Sequence, residues 1–219
     1  MKPVSDKAYL QQLIDEGEHQ QQDFKFEISD ARKIARSLSA FANTDGGRLL
    51  IGVKDNGRIA GVRSEEEIYM IEAAARLYCQ PQVDIAMHTY TVDGKTVLIA
   101  EIPKALEKPV QAQVAPGKYM AYVRIADENI LATAVHLAVW RQKNSKRGAL
   151  VEYTEREQML LDYLAEHGEI TVSKYSRLAR LSYRSAVEHI ARFVRFGLLE
   201  VCFEHHKFYY RLRQGEEQV

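Results

Sequence analysis

Between Thr171 and Arg213 stand nine basic residues, Lys174, Arg177, Arg180, Arg184, Arg192, Arg195, Lys207, Arg211 and Arg213, against three acidic ones, Glu188, Glu200 and Glu204. Nine against three is a local excess of six positive charges in a chain whose 30 basic and 30 acidic residues otherwise cancel. Such a patch is either a footprint for phosphate or an ordinary solvated face. Helical spacing sharpens the first reading. On a helical wheel Tyr183, Val187, Ile190 and Val194 share an arc of about 60°, flanked by Ala186 and Phe193, and Arg184, Ser185, Glu188, Arg192 and Arg195 share an opposite arc of about 100°. The first is a core face. The second carries groups suited to a polyanion, because a planar guanidinium can donate to guanine O6 and N7 together. Arg184 and Ser185 lie in the first turn, where a helix enters the major groove of DNA. Arg192 and Arg195 lie further along and suit phosphates, which set position rather than sequence.

These side chains need a scaffold, and the surrounding pattern predicts one. Thr154-Glu-Arg-Glu157 is a capping box ahead of an apolar-periodic helix through Leu160, Tyr163 and Leu164. Glu169–Val172 reads as a short strand and Ser173–Leu181 as a short helix. Ser182 caps a second helix running to Phe196, and Gly197 suits the left-handed position beyond it. Leu198–Glu204 and Lys207–Leu212 read as a hairpin around His205-His206, which places Lys207 at a wing tip. Helix, strand, helix, helix, hairpin is the order of a winged helix, expected over residues 149–214. Winged helices also serve as protein-interaction modules, so the polar face of the last helix has a bland alternative. Adjacent histidines without a third ligand read as an exposed turn rather than a metal site.

The polar stretch Gln142–Gly148 separates this region from a first domain expected over residues 1–144. There, Ala8–Glu16 reads as a short helix, Gln22–Ile28 as strand-like, and Asp30–Phe41 as a helix through Ile34, Leu38 and Phe41. Arg48–Val53 is a short apolar strand followed by the turn Asp55-Asn-Gly-Arg58. Ser64-Glu-Glu-Glu67 reads as a capping box opening a helix that Pro81 closes. Val83–Val92 and Thr96–Ile102 flank Asp93-Gly94 as a hairpin. Met120–Ile125 is another strand and Thr133–Arg141 a final helix. The expected class is α+β with a mixed, mostly antiparallel sheet.

Residues 40–61, AFANTDGGRLLIGVKDNGRIAG, combine a helix end at Asn43, a tight turn at Gly46-Gly47, a buried strand, and Gly52 where another backbone or a ligand can come close. This wording strongly resembles the Schlafen AlbA-like domain, once called a divergent AAA domain. Glu18 through Asp23-Phe24-Lys25 is similar to that family's E…EFK segment, with Asp23 in place of the usual Glu. Tyr122-Val-Arg-Ile125 resembles its later YxR strand. The resemblance spans about residues 10–140. It implies a DNA-binding module of the kind common in bacterial regulators, often joined to a C-terminal winged helix. It places Lys25, Asn43, Thr44 and Lys54 near a nucleic-acid-contacting motif. It also implies a nuclease alternative: Schlafen nucleases use three carboxylates, whose matching positions here are Glu18, Asp23 and Asp55. Clustered carboxylates can hold a divalent cation against a phosphodiester. The shorter Asp23 weakens that match, and without metal Asp55 reads as the opening of its turn, with Glu18 and Asp23 as surface residues beside a strand.

The family's nucleotide-binding label finds little in the residues. There is no GxxxxGK[ST], and Asp45-Gly46-Gly47 leads into a strand rather than a helix whose amides could hold phosphates. No cofactor is therefore expected. Composition is that of a soluble globular protein, 46% hydrophobic and 27% charged. The polar start suggests no signal peptide, no apolar run approaches a bilayer span, and two distant cysteines, Cys79 and Cys202, fit a reducing cytoplasm. Three function classes stand at this point: a homodimeric regulator of transcription that binds double-stranded DNA and senses a small-molecule effector, a metal-dependent nuclease acting on RNA, and a non-catalytic protein-interaction adaptor. Salt-dependent duplex binding separates the first from the third, and metal-dependent cleavage brings the second forward.

Overall fold

The computed structural model describes residues 5–145 and 154–214. The chain divides into two compact units, Met1–Ala132 and Thr133–Val219.

The first unit is built as α1 (Asp6–Glu16), β1 (Gln22–Lys25), α2 (Ala31–Asn43), β2 (Gly47–Ile51), α3 (Glu65–Leu77), β3 (Cys79–Gln80), β4 (Ala86–Val92), β5 (Lys95–Ile102), β6 (Gln111–Ala115), β7 (Lys118–Ile125) and β8 (Glu128–Leu131). Two four-stranded sheets result, ordered β1-β2-β5-β4 and β3-β6-β7-β8. Every pairing is antiparallel except β1 with β2. The apolar run in β2 has a simple cause: the first sheet is covered on both faces, so both sets of alternating side chains are buried. Leu49 and Ile51 join Leu98, Ala100 and Ile102 under α2 and α3. Leu50 joins Val97 and Ile99 with Leu10 and Leu13 of α1 on the other face. Asp30 caps α2, its carboxylate accepting from Arg32 N at 2.8 Å.

Ser64 caps α3 without a side-chain hydrogen bond, so the expected capping box does not form. Glu67 turns inward instead and accepts from Ile28 N (3.0 Å) and Arg63 N (2.8 Å). Two backbone amide donors thereby satisfy the buried carboxylate. The strands β6 and β8 and the split into two sheets are not evident in the sequence pattern: both strands are short, and Glu128–Leu131 does not alternate in polarity.

The second unit comprises α4 (Ala134–Asn144), α5 (Glu155–His167), β9 (Glu169–Ile170), α6 (Val172–Leu178), α7 (Tyr183–Arg195), β10 (Leu199–Glu204) and β11 (Lys207–Leu212). Its sheet runs β10-β11-β9, all antiparallel. Capping boxes open α4 (Thr133 with His136) and α5 (Thr154 with Glu157). Val135, Ala138 and Val139 of α4 share one core with Leu160, Tyr175, Ile190, Phe193 and Tyr210. The helix expected to end the first domain therefore belongs to the second unit, and the division falls before Thr133 rather than at Gln142–Gly148. Residues 149–153 of the expected second domain lie outside the described residues.

Candidate nucleic-acid interface

In the first unit the shared motif is mostly an interior device. Asn43 is buried. Its Nδ2 donates to the carbonyls of Val110 (2.7 Å) and Tyr122 (2.9 Å), and its Oδ1 accepts from Val110 N (2.8 Å). The side chain thus locks the end of α2 to β7 and to the segment entering β6, which corrects the expectation of a nucleic-acid contact there. The Thr44 hydroxyl is engaged both ways, donating to Ala40 O and accepting from Arg124 N, each at 2.8 Å. It too is a clasp.

The residues of the E…EFK segment meet a cation that sequence reasoning left aside. Asp23 and Arg124 are both buried, with Oδ1 to Nη2 at 3.5 Å. Lys25 Nζ lies 2.7 Å from Asp23 Oδ2 and donates to Phe24 O at 2.8 Å. Arg124 also donates to Asn129 Oδ1 (3.0 Å) and Gln22 O (3.2 Å), and stacks over Phe41 at 4.8 Å. Burial pushes the Asp23 carboxyl up. The hydrogen bond with Glu18 and the charges of Lys25 and Arg124 outweigh it and hold the group below its ordinary value. Glu18 moves the other way: burial and its hydrogen bond with Asp23 raise it, against the Phe24 amide that donates to it at 2.9 Å. A proton entering this pair therefore sits on Glu18.

Asp55 stands exposed in its turn. Among the described residues no three of His, Cys, Asp and Glu gather as a metal-ligating group, so Glu18, Asp23 and Asp55 do not assemble. Asp23 is also not the surface residue expected; Lys25 and Arg124 already occupy its oxygens. Lys54 sits over the Phe26 ring at 4.8 Å and lines an open cleft.

In the second unit α7 buries Ala186, Val187, Ile190, Ala191 and Phe193. Tyr183, expected in the core, is instead 55% exposed, at the first residue of α7. Arg184 is exposed; Ser185, Arg192 and Arg195 are half-buried on the side away from the core. Ser182 holds the helix start, accepting from Ser185 N at 3.1 Å, with the two hydroxyls 2.8 Å apart. Glu188 is not an open group. Arg141 of α4 pairs with it, and Gln142 Nε2 donates to its Oε2 at 3.0 Å. The one acid on the basic face is thereby neutralised from outside the helix. Lys207 is exposed after the tight turn at His205 and His206, whose φ values are 50° and 59°. Arg211 is taken out of the basic surface by Glu169 and Glu204.

Residues 18–133, more than half of the 219, match the Schlafen, AlbA_2 family. The chain belongs to that family. Among curated proteins none matches. Two solved structures are among those similar to this chain. The DIP2311 protein of Corynebacterium diphtheriae shares 19% identity over 89% of this chain, with a TM-score of 0.47. The N-terminal domain of an ATP-dependent DNA helicase RecG-related protein from Nitrosomonas europaea shares 22% over 70% of this chain and 98% of that domain, with a TM-score of 0.41. This chain spans about a third of the Corynebacterium protein, 34% of its length.

Within the AlbA_2 region, the residues missed from sequence are those that act at long range. Arg124 was visible as the Arg of Tyr122-Val-Arg-Ile125. Nothing local says that it reaches back across roughly a hundred residues to Asp23. No helix among the described residues is long and apolar enough to cross a membrane. Cys79 and Cys202 are free thiols, and burial pushes Cys79 up to about 12, away from reactivity.

Proposed function

We propose that this chain is a DNA-binding transcriptional regulator whose second unit is a winged helix reading duplex DNA through α7 and the β10–β11 wing. The observation that carries this reading is the division of α7. Its buried face is wholly apolar, and its outer face offers Arg184, Ser185, Arg192 and Arg195, with Glu188 withdrawn by Arg141 and Gln142. A capped, rigid helix with arginines in its first and last turns matches the depth of the major groove and the phosphates beside it. Lys207, at the hairpin turn, suits a contact to the neighbouring backbone. Membership of the Schlafen, AlbA_2 family supports a nucleic-acid role for the first unit as well.

One winged helix touches few bases, so this reading includes a homodimer that pairs two half-sites. Sedimentation with and without duplex checks it, and a species of 25.1 kDa throughout, at tens of micromolar, counts against pairing. Selection of bound genomic fragments tests the reading as a whole. Recovery of a recurrent duplex motif is the expected result, and recovery of no duplex above background at moderate salt contradicts it.

A further inference from the structure

A second basic surface lies in the first unit, independent of α7. The loop after β2 folds back on itself: Gly57 N donates to Lys54 O at 2.7 Å, and Lys54 N to Arg58 O at 3.1 Å. Gly52 clamps both ends of this loop. Its carbonyl accepts from Ala60 N (2.8 Å) and Gly61 N (2.9 Å), and its amide donates to Lys25 O (2.8 Å). Its φ of 89° and the close passage of Gly61, 2.7 Å from where a Cβ would stand, exclude any side chain here. The Gly52 of the shared motif is therefore the post on which the loop is hung.

Between this loop and the neighbouring strands lies a cleft of about 320 Å³, lined by Phe26, Lys54, Arg58, Arg63 and Lys95 with the Ile59–Gly61 backbone. Four cations and no carboxylate line it. Lys54 Nζ and the Arg63 guanidinium both lie over the Phe26 ring, 4.8 and 4.7 Å from its centroid, so the ring sets their positions. Lys95 Nζ is fixed by Ile59 O at 3.0 Å. Arg63 pairs at its outer side with Glu27 at 2.6 Å. Neither Lys54 nor Arg58 is paired with a carboxylate among the described residues. With Arg63 already paired, Lys54, Arg58 and Lys95 remain as like charges in one small space, and an anion relieves their repulsion.

We infer that this cleft is a backbone-phosphate site for a nucleic-acid strand, held by Lys54, Arg58, Arg63 and Lys95 without regard to base identity. Phosphate rather than base is the recognised group because the aromatic ring here is already covered by cations. The cleft offers charge without a free stacking platform or an acidic acceptor for a base edge. At about 320 Å³ it stands at the low end of small-ligand pockets, roughly 300–1,000 Å³, and a whole nucleotide with its base finds few apolar walls. The inference stands apart from the reading of α7, and the test keeps them apart.

The test uses the full chain with Arg184→Ala and Arg192→Ala, which weakens binding through the second unit, and labelled oligo-dT and oligo-U of twenty nucleotides. Residual binding is expected, with affinity falling linearly in log salt. Adding Arg58→Ala should weaken it about 3- to 10-fold and shrink the salt slope by about one unit, and Arg58→Lys should restore the slope. Arg58 is exposed, so its loss leaves the core intact. Unchanged affinity and slope in Arg58→Ala overturns the inference. Inorganic phosphate and ADP, titrated from micromolar to millimolar concentration, serve as competitors. If either displaces the oligonucleotide at micromolar levels, the cleft is a site for free phosphate compounds, and the strand assignment falls.

Discussion

Asp23 and Arg124 meet inside the first unit at 3.5 Å, both buried, across about a hundred residues of sequence. Removing one member of a buried pair strands the other, at a cost of about 3–5 kcal/mol. Asp23→Ala should therefore lower stability by that order, read as loss of hydrogen-exchange protection in β1 and β7. Replacing both, as Asp23→Ala with Arg124→Met, should recover part of the loss. A cost under about 1 kcal/mol for Asp23→Ala would mean that Lys25 rather than Arg124 is the partner that matters.

The same geometry bears on catalysis. With Asp23 tied to Lys25 and Arg124, and Asp55 exposed in its turn, we expect no hydrolysis of RNA or DNA by the purified chain with Mg²⁺ or Mn²⁺. Cleavage that vanishes in both Glu18→Ala and Asp55→Ala, with the fold intact, would make the chain a nuclease instead.

Much of this could be read in the sequence because the signals were local. The β2 run, the Asp55 turn, the Thr154 capping box and the Leu199–Leu212 hairpin each follow from a few adjacent residues. Asn43 could not be placed the same way. A polar residue at a helix end reads as exposed, and only the return of Val110 and Tyr122 shows that it is spent on buried backbone. The same holds for α4. Its pattern gave the helix but not its partner, which is set by Val135, Ala138 and Val139 packing into the second core. Arg141 then reaches Glu188, 47 positions away.

Burial pushes His136 down to about 4 from its ordinary 6.5. In the unfolded chain the ring takes up a proton as pH falls through 6.5, whereas the folded chain resists until about 4. The second unit should therefore lose stability on acidification across that window, by at most about 3 kcal/mol from this residue. His189, also lowered chiefly by burial, adds in the same direction. His136→Gln keeps a capping-box side chain at the third helical position and removes the titration. Trp140 is the chain's single tryptophan and lies in α4, so urea unfolding followed by its fluorescence reports this unit. The variant should show a flatter pH dependence between 6.5 and 4. An unaltered slope would assign the effect to other groups.

The most direct test of the account compares Arg184→Ala and Arg192→Ala on duplex DNA bearing the selected motif, across a salt series. Arg184, exposed in the first turn, should cost about 1–3 kcal/mol of specific affinity and relax preference at one base position. Arg192, in the last turn, should weaken all duplexes alike and reduce the salt slope by about one unit. If both variants bind every duplex as the wild type does, at moderate salt, α7 is not a DNA-reading helix and the proposed function is wrong.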